Sequence, residues 1–482
     1  MIENTSVIAK TYALLDFSNS SNLATIETPP NSIYQSRLLH TISQKLNIDS
    51  VFFYQPPGGE TSIPHILFSH LESVDKHQLT YELAELHKIA WNMARAPLLF
   101  ATTPDGTIRI YNTYIPPSDP KPNSDDYQSG LIETLNIFNE AEAERLRQKY
   151  HRREFESGRF WQNNRKRFDI KNRADQTLLQ NLRIMHRTLS EMLPDAVDSL
   201  IVSEITHNLI GRSIFIKYLE DRHDSKGNNV FSDGFFAQFV QGATCFTDVL
   251  LDKKGAYALF EYLKEKFNGD LFPVNPLELE HIQLDHLREL RLFLTGKTRL
   301  TDRQLRFWKF YSFDAIPIEF ISNIYEEFFH ITEQERLGKT AIKTGTHYTP
   351  HHLVEFLVDE LFPWEGDQVD CKVLDPACGS GIFLVEIYRR LIAHWQQANP
   401  SEPIQFKHLK KLLVDNIYGV DLDSGAIQVA AFSLYLTLCD FLEPRQIWKN
   451  VTFPPLRNQN LFLADFFNKG KAFSDSKYDL IV

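Results

Sequence analysis

Val373-Leu374-Asp375-Pro376-Ala377-Cys378-Gly379-Ser380-Gly381-Ile382-Phe383-Leu384 passes from a short apolar strand, through a loop of small residues, into the start of a helix. At the carboxyl edge of a parallel sheet that succession makes a ligand crevice. Gly379 and Gly381 remove side chains that would keep a ligand from the backbone. The first turn of the following helix offers N–H donors that have no intrahelical acceptor, a setting for a carboxylate. A bare Gly-x-Gly is weak; a strand ending in Asp-Pro-Ala-Cys-Gly-Ser-Gly is far more specific.

Two further stretches extend the pattern. In Ile417-Tyr418-Gly419-Val420-Asp421-Leu422-Asp423 a strand ends in an acid, and Asp421 is placed to accept both hydroxyls of a ribose. Such an acid usually follows its glycine loop by about 20 residues. Here 46 residues separate Asp375 from Asp421, so an extra helix is expected between them, and Phe406–Asp415 has the pattern for one. In Leu463-Ala464-Asp465-Phe466-Phe467 an acid and an aromatic follow a strand, a pair able to hydrogen-bond and stack on an adenine ring.

Around these stretches, the order after Gly338 is loop, helix (Pro350–Leu361), strand (Lys372–Leu374), helix (Gly381–Gln397), helix (Phe406–Asp415), strand (Ile417–Val420), helix (Gly425–Phe441), and strands near Leu461–Leu463 and Tyr478–Val482. Strands alternating with helices predict a parallel sheet covered on both faces, an α/β core of Rossmann-like type that is incomplete here. Residues 338–482 are therefore expected to form one domain.

Residues 1–120 are expected to form a small α/β module. Strands are predicted at Ser50–Tyr54, His65–Ser69, Pro97–Thr102 and Thr107–Tyr111. A helix is expected at His77–Arg95, and Asp105-Gly106 is a hairpin turn. Pro116–Asp126 has linker composition. From Gly130 to Tyr325 nearly everything is predicted helical, so 121–337 is expected to be a helical connector domain. Its helices fall at Ile201–Arg222, with one apolar face, and at Phe235–Val249, Ala256–Lys266, Leu277–Phe293 and Ile318–Phe329.

At 482 residues, two to four domains are expected. Hydrophobic residues at 43% and charged ones at 23% describe a globular chain, neither disordered nor fibrous. No apolar run approaches membrane-spanning length, and Met1-Ile2-Glu3-Asn4 lacks a signal-peptide pattern, so no membrane association and a cytoplasmic location are expected. Cys245, Cys371, Cys378 and Cys439 have no CxxC spacing and are expected as reduced thiols. His347, His351 and His352 lack a carboxylate or cysteine to complete a set, so no metal is expected.

The net charge of −11 argues against a simple nucleic-acid coat protein, yet phosphates respond to local patches. One such patch runs from Arg145 to Arg173, where eleven bases (Arg145, Arg147, Lys149, Arg152, Arg153, Arg159, Arg165, Lys166, Arg167, Lys171, Arg173) face three acids. A solvated helix face is the ordinary explanation of such a run. Arg152, Arg153, Arg165, Lys166 and Arg167 are the candidates for contacts to DNA phosphates.

Asp-Pro-Ala-Cys-Gly-Ser-Gly, Gly-Val-Asp-Leu-Asp and Ala-Asp-Phe-Phe resemble motifs I, II and III of N6-adenine DNA methyltransferases, nearest to the large restriction–modification enzymes of type IIG. Thr344-Gly345-Thr346-His347-Tyr348-Thr349-Pro350 resembles motif X of that family. The resemblance covers about residues 315–482; earlier parts, such as Leu209-Ile210-Gly211-Arg212-Ser213-Ile214-Phe215, match in general character. It implies S-adenosyl-L-methionine as cofactor and double-stranded DNA as substrate. By the same matching, Thr346, Thr349, Asp375, Ala377 and Gly379, with Gly381 opening the helix, would hold the methionine part. Asp421 would hold the ribose, and Asp465 with Phe466 the adenine.

In the family, Tyr478-Asp479-Leu480-Ile481-Val482 would be followed by an Asn-Pro-Pro-aromatic segment that grips the flipped adenine. None stands within these residues, so no catalytic residue is assigned and the chain alone is expected to be inactive. A second polypeptide carrying that segment and a target-recognition domain is an expected partner. Two alternatives stay open: a protein or rRNA methyltransferase, and a non-catalytic subunit of a split system that binds cofactor or DNA. The amino-terminal module resembles, more loosely, the nuclease-type domain of such fusions. Its strand Pro64-His65-Ile66-Leu67-Phe68-Ser69-His70 shows no Glu-x-Lys, so no cleavage is expected.

Overall fold

The computed structural model describes residues 6–28, 30, 32–54, 63–73, 75–120, 126–224, 226–268, 274–296, 311–313, 315–316, 349, 351–467, 473 and 477–482. The expected helix Ile318–Phe329, with Thr346 and His347, lies outside them. The described residues up to Thr177 form one compact unit and those from Leu178 onward another.

The first unit is built on a mixed six-stranded sheet in chain order: β1 (Leu23–Thr25), β2 (Ser50–Tyr54), β3 (Ile63–His70), β4 (Leu98–Thr102), β5 (Thr107–Asn112) and β6 (Leu131–Asn136). Only β3 and β4 are parallel, and the Lys76–Met93 helix makes the crossover such a pair requires. β4 and β5 form the expected hairpin, with Gly106 at φ +83° in its turn. Every residue of β4 is buried, because helices cover both sheet faces. On one face Phe52, Phe68, Phe100, Ile110 and Leu135 meet Leu146, Tyr150, Phe155 and Phe160 from the short helices Glu140–Tyr150, Arg152–Glu156 and Arg159–Asn164.

That arrangement corrects the expected boundary at residue 120. β6 lies in the stretch expected to be helical, and the helices after it complete the same core. β6 is an edge strand with Leu135 as its one buried residue, so its apolar alternation is too faint to stand out in sequence. Two other expectations are revised. Phe235–Val249 is a 3-10 turn, Phe236–Gln238, and a short helix, Phe246–Val249, separated at Gly242, whose φ is +80°. Leu277–Phe293 is two helices, Pro276–His281 and Leu284–Leu294, the second starting from a capping box at Gln283.

The second unit contains a four-stranded, all-parallel sheet of order β10-β7-β8-β9, with β7 Val373–Asp375, β8 Ile417–Asp421, β9 Leu461–Leu463 and β10 Leu480–Ile481. The helices Ile382–Ala398 and Phe406–Asn416 link β7 to β8, and Ser424–Asp440 and Pro444–Asn450 link β8 to β9. The extra helix inferred from the 46-residue spacing is thus Phe406–Asn416.

The helical part from Leu178 does not stand as a separate domain, contrary to the connector expected for 121–337; it shares one unit with the sheet. The Ser424–Asp440 helix shows why. It is apolar around its whole circumference and buried from Ile427 to Cys439 apart from Gln428, so it needs cover on the side away from the strands. The Ser199–Asp221 helix helps to supply it: Asn208 Oδ1 accepts from Gln428 Nε2 at 2.7 Å, and Phe215 meets Phe432 and Phe453 edge-on. Arg222 donates to Asp440 Oδ1 and to the Leu442 carbonyl, both at 3.0 Å. The Ser199–Asp221 helix was expected to show one apolar face; instead it is buried all round from Ser203 apart from Glu204.

Candidate functional site

The strand order of the second unit fixes where a ligand can sit. From β7 the chain moves outward through β8 and β9, then returns to place β10 on the other flank of β7. In open parallel sheets, ligands bind outside the carboxyl ends of the strands where that order reverses. Asp375 ends β7, and the glycine loop follows it at that point.

Alternation along the strands decides what faces the loop. Leu374, Tyr418, Val420 and Phe462 join Phe466, Phe473 and Tyr478 in one apolar cluster. Asp375, Gly419 and Asp421 therefore share the opposite face. Asp375 pairs with Gly419, which puts Asp421 one same-face position further along the neighbouring strand.

Asp421 is where the three sequence stretches meet. Its Oδ2 accepts the Gly379 N–H at 2.9 Å, its Oδ1 accepts the Asp423 N–H at 2.9 Å, and its carbonyl accepts the Ala464 N–H at 2.9 Å. A carboxylate has about four lone-pair sites, so acceptor capacity remains after the two backbone donors. Asp421 is half-buried, with its neighbour Leu422 exposed. Asp375 is buried, and its Oδ1 accepts the Ala377 N–H at 3.1 Å, which bends the chain into the loop. The Cys378 N–H donates to the Val420 carbonyl at 2.9 Å and ties the loop to β8.

Gly379 and Gly381 have φ of +51° and +80°, a region costly for any residue with a Cβ. Gly381 is also the cap of the Ile382–Ala398 helix and contributes no side-chain acceptor, so the first-turn N–H groups receive nothing from their own cap. Sequence inspection passed over Gly419. A Cβ there would stand 2.8 Å from Leu384 Cδ1 and 2.9 Å from Cys378 Sγ. The loop lies on β8 because Gly419 is bare, and a lone glycine inside a strand is the signal for such close approach.

Asp465 is exposed, and its Oδ1 accepts the Phe467 N–H at 3.0 Å in an Asx turn. Phe466 is half-buried with its ring stacked on Phe473, centroids 6.0 Å apart. Thr349 is half-buried, two residues ahead of the His351–Leu361 helix, and is not brought to the loop by any hydrogen bond among the described residues. Thr346 lies outside those residues.

The donor set suits a zwitterionic nucleoside. Backbone N–H groups at a bare helix start fit a carboxylate, Asp375 fits an ammonium, and the carboxylate at the end of β8 fits vicinal hydroxyls. Among the described residues no group of three or more His, Cys, Asp or Glu could hold a metal ion, and no helix is long and apolar enough to cross a membrane.

The basic run separates into two sets. Arg145 and Lys149 pair with Glu133, Arg147 with Glu144, Arg159 with Glu154 and Arg173 with Asp175. Arg152 donates to Asp16 Oδ2 at 2.8 Å and to Glu156 Oε1 at 2.9 Å. Those acids and the Asp16 carbonyl engage its guanidinium, which sets Arg152 apart from the unpaired bases of the run. Arg153, Arg165, Lys166 and Arg167, with Lys171, are exposed and carry no ion pair among the described residues.

Comparison with known proteins reaches this region through a family model. Residues 318–453 match the family described as N-6 DNA Methylase. The chain is 25% identical over 319 residues to the type II restriction enzyme and methyltransferase RM.Eco57I of Escherichia coli, covering 58% of this chain and 29% of that protein. It is 27% identical over 119 residues to the adenine-specific methyltransferase PglX of Streptomyces coelicolor, covering 24% of this chain and 9% of that one. It thus spans less than a third of the length of these relatives. Among solved structures, the Type IIL restriction-modification enzyme MmeI in complex with DNA is similar at a TM-score of 0.35 and 17% identity, over 60% of this chain and 40% of that one. The glycine loop, the Asp421 strand end and the helices that link β7, β8 and β9 fall within the stretch that matches the family described as N-6 DNA Methylase.

Proposed function

We propose that this chain is the S-adenosylmethionine-binding portion of a site-specific DNA adenine-N6 methyltransferase of restriction–modification type, with double-stranded DNA as the substrate. The carrying observation is the convergence on Asp421, whose carboxylate joins the glycine loop to the end of β8. In this proposal Asp421 accepts the ribose hydroxyls with its remaining lone pairs. Asp375, Ala377, Gly379 and Gly381, with Thr346 and Thr349, hold the methionine end: the bare helix start takes its carboxylate and Asp375 its ammonium. Asp465 takes the adenine by hydrogen bond; Phe466, whose ring is stacked on Phe473 in the cluster of the other face, takes it by its ring only after leaving that contact. When bound, the sulfonium supplies an electrophilic methyl for the exocyclic amine of adenine. In this proposal the target base is held by a second polypeptide that carries the target-recognition domain.

Calorimetric titration of the whole chain with S-adenosylmethionine tests the proposal. Binding is expected, and Asp421→Ala is expected to weaken it by about 1.5–3 kcal/mol, the scale for hydrogen bonds to a charged group. Because Asp421 also tethers Gly379, Asp421→Asn is the companion variant: its carbonyl oxygen keeps one acceptor, and an intermediate loss is expected. A folded chain that ignores the nucleoside at millimolar concentration refutes the reading.

A further inference from the structure

We propose that the turn from Arg165 to Lys171 is a preorganised docking surface for the phosphate backbone of duplex DNA, set on the first unit and separate from the cofactor site. It rests on the proposed function only in choosing duplex DNA among polyanions.

Two observations carry it. The first is electrostatic. Six of the eleven bases between Arg145 and Arg173 are neutralised by acids, while Arg165, Lys166, Arg167 and Lys171 stand exposed without an ion pair among the described residues. The one acid among them, Asp169, is exposed, forms no ion pair among the described residues and accepts the Lys171 N–H at 3.0 Å. The second is mechanical. Asn112 and Trp91, both buried, donate to the carbonyls of Arg167 at 2.8 Å and Asn172 at 3.0 Å. Between these anchors the Phe168 ring lies edge-on to Trp161, 5.2 Å away. The backbone is thus held at Arg167, Phe168 and Asn172, while Arg165, Lys166, Arg167 and Lys171 carry no ion pair among the described residues.

A solvated face needs no such anchoring. A phosphate ladder, with a charge every 3.4 Å along each strand, rewards fixed cations because less ordering entropy is lost on binding. The surface shows a single exposed apolar side chain, Ile170, too little for a helix to enter a lipid interface. The contact proposed is with the phosphate backbone and independent of sequence.

Fluorescence anisotropy of the whole chain with a labelled duplex, across a salt series, is the test. Each lost phosphate contact lowers the slope of log K against log salt by about 0.9. Arg165→Gln with Lys166→Gln is expected to lower it by about 1.8 and to weaken low-salt binding about tenfold or more. Lys410→Gln with Lys411→Gln removes the same charge from a helix of the second unit and is expected to leave the slope unchanged. Arg165→Lys with Lys166→Arg is expected to bind as the unaltered chain does. An unchanged slope in the first pair, an equal fall in the second, or a preference for single-stranded RNA or anionic vesicles over duplex overturns the inference. Calorimetry with S-adenosylmethionine on the same preparations keeps the readings apart: loss of nucleoside binding with patch-dependent duplex binding would sink the proposed function and leave this one standing.

Discussion

At Gly381 a single methyl group is enough to disturb the candidate site. The residue has φ of +80°, and a Cβ would come within 3.0 Å of Ala430 Cβ on the Ser424–Asp440 helix. Left-handed backbone costs an L-residue about 1–2 kcal/mol before any crowding. Gly381→Ala is therefore expected to lower stability by about 2 kcal/mol, read as a fall in urea midpoint, and to weaken nucleoside binding as the helix start shifts. The thiols give a second residue-scale expectation. Burial pushes the Cys439 thiol up to about 12, and Cys371 and Cys378 are also buried, while Cys245 is half-exposed. Only a thiolate attacks efficiently. One thiol, Cys245, is expected to react with a maleimide in the native chain and four after denaturation, counted by mass.

At the scale of elements, the Ser199–Asp221 helix is held by buried charge as much as by apolar contact. Arg212 is fully buried, clamped by Glu278 at 2.9 and 3.0 Å, with its guanidinium 4.6 Å from the Phe260 ring centre. Tyr257 adds a hydrogen bond to Glu278 at 3.0 Å. A buried pair adds little net stability, but removing one member strands the other. Glu278→Ala is expected to cost about 3–5 kcal/mol, and Arg212→Met with Glu278→Leu to recover most of it; denaturant unfolding of the three chains decides this. Further along the helix Lys217 meets Glu220 and Asp221, and those carboxylates accept the N–H groups of Phe246 and Phe313. The charges of this helix thus cap and anchor neighbouring segments, which an amphipathic-face reading of the sequence cannot show.

For the molecule as a whole, buried histidines contribute to the response to acid. Burial pushes His65 and His87 down to about 4, and it lowers His207 and His286 as well. His87 is held neutral between Tyr127 and the Asn112 carbonyl. Below the ordinary histidine value of 6.5 the unfolded chain takes up protons that the folded chain refuses, so stability rises with pH there. The stabilisation is complete above about 6.5 and is lost as pH falls from there toward 4; His87 alone accounts for about 3 kcal/mol across that window. Urea midpoints at pH 7 and pH 5 are expected to differ in that direction, and His87→Asn to make the fall shallower.

The local pattern of the chain was sufficient for the parallel sheet, its glycine loop and its strand-end acid. Residues 373–384 and 417–423 carry their instructions within a dozen positions: an apolar run, a left-handed turn that only glycine tolerates, a helix start. The extra helix at Phe406–Asn416 followed from the spacing together with the Phe406–Asp415 pattern. What packing decided lies where the partners are distant in sequence. β6 belongs to the first sheet although Leu135 is its one buried residue. Arg152 is paired with Asp16, which lies far back in the chain, and no local pattern shows that partner. Gly419 is bare because the glycine loop folds back over it, and Asp421 joins three stretches only once β7, β8 and β9 lie side by side. Periodicity records which residues are buried; it does not record against what, and that complement is supplied by tertiary contact.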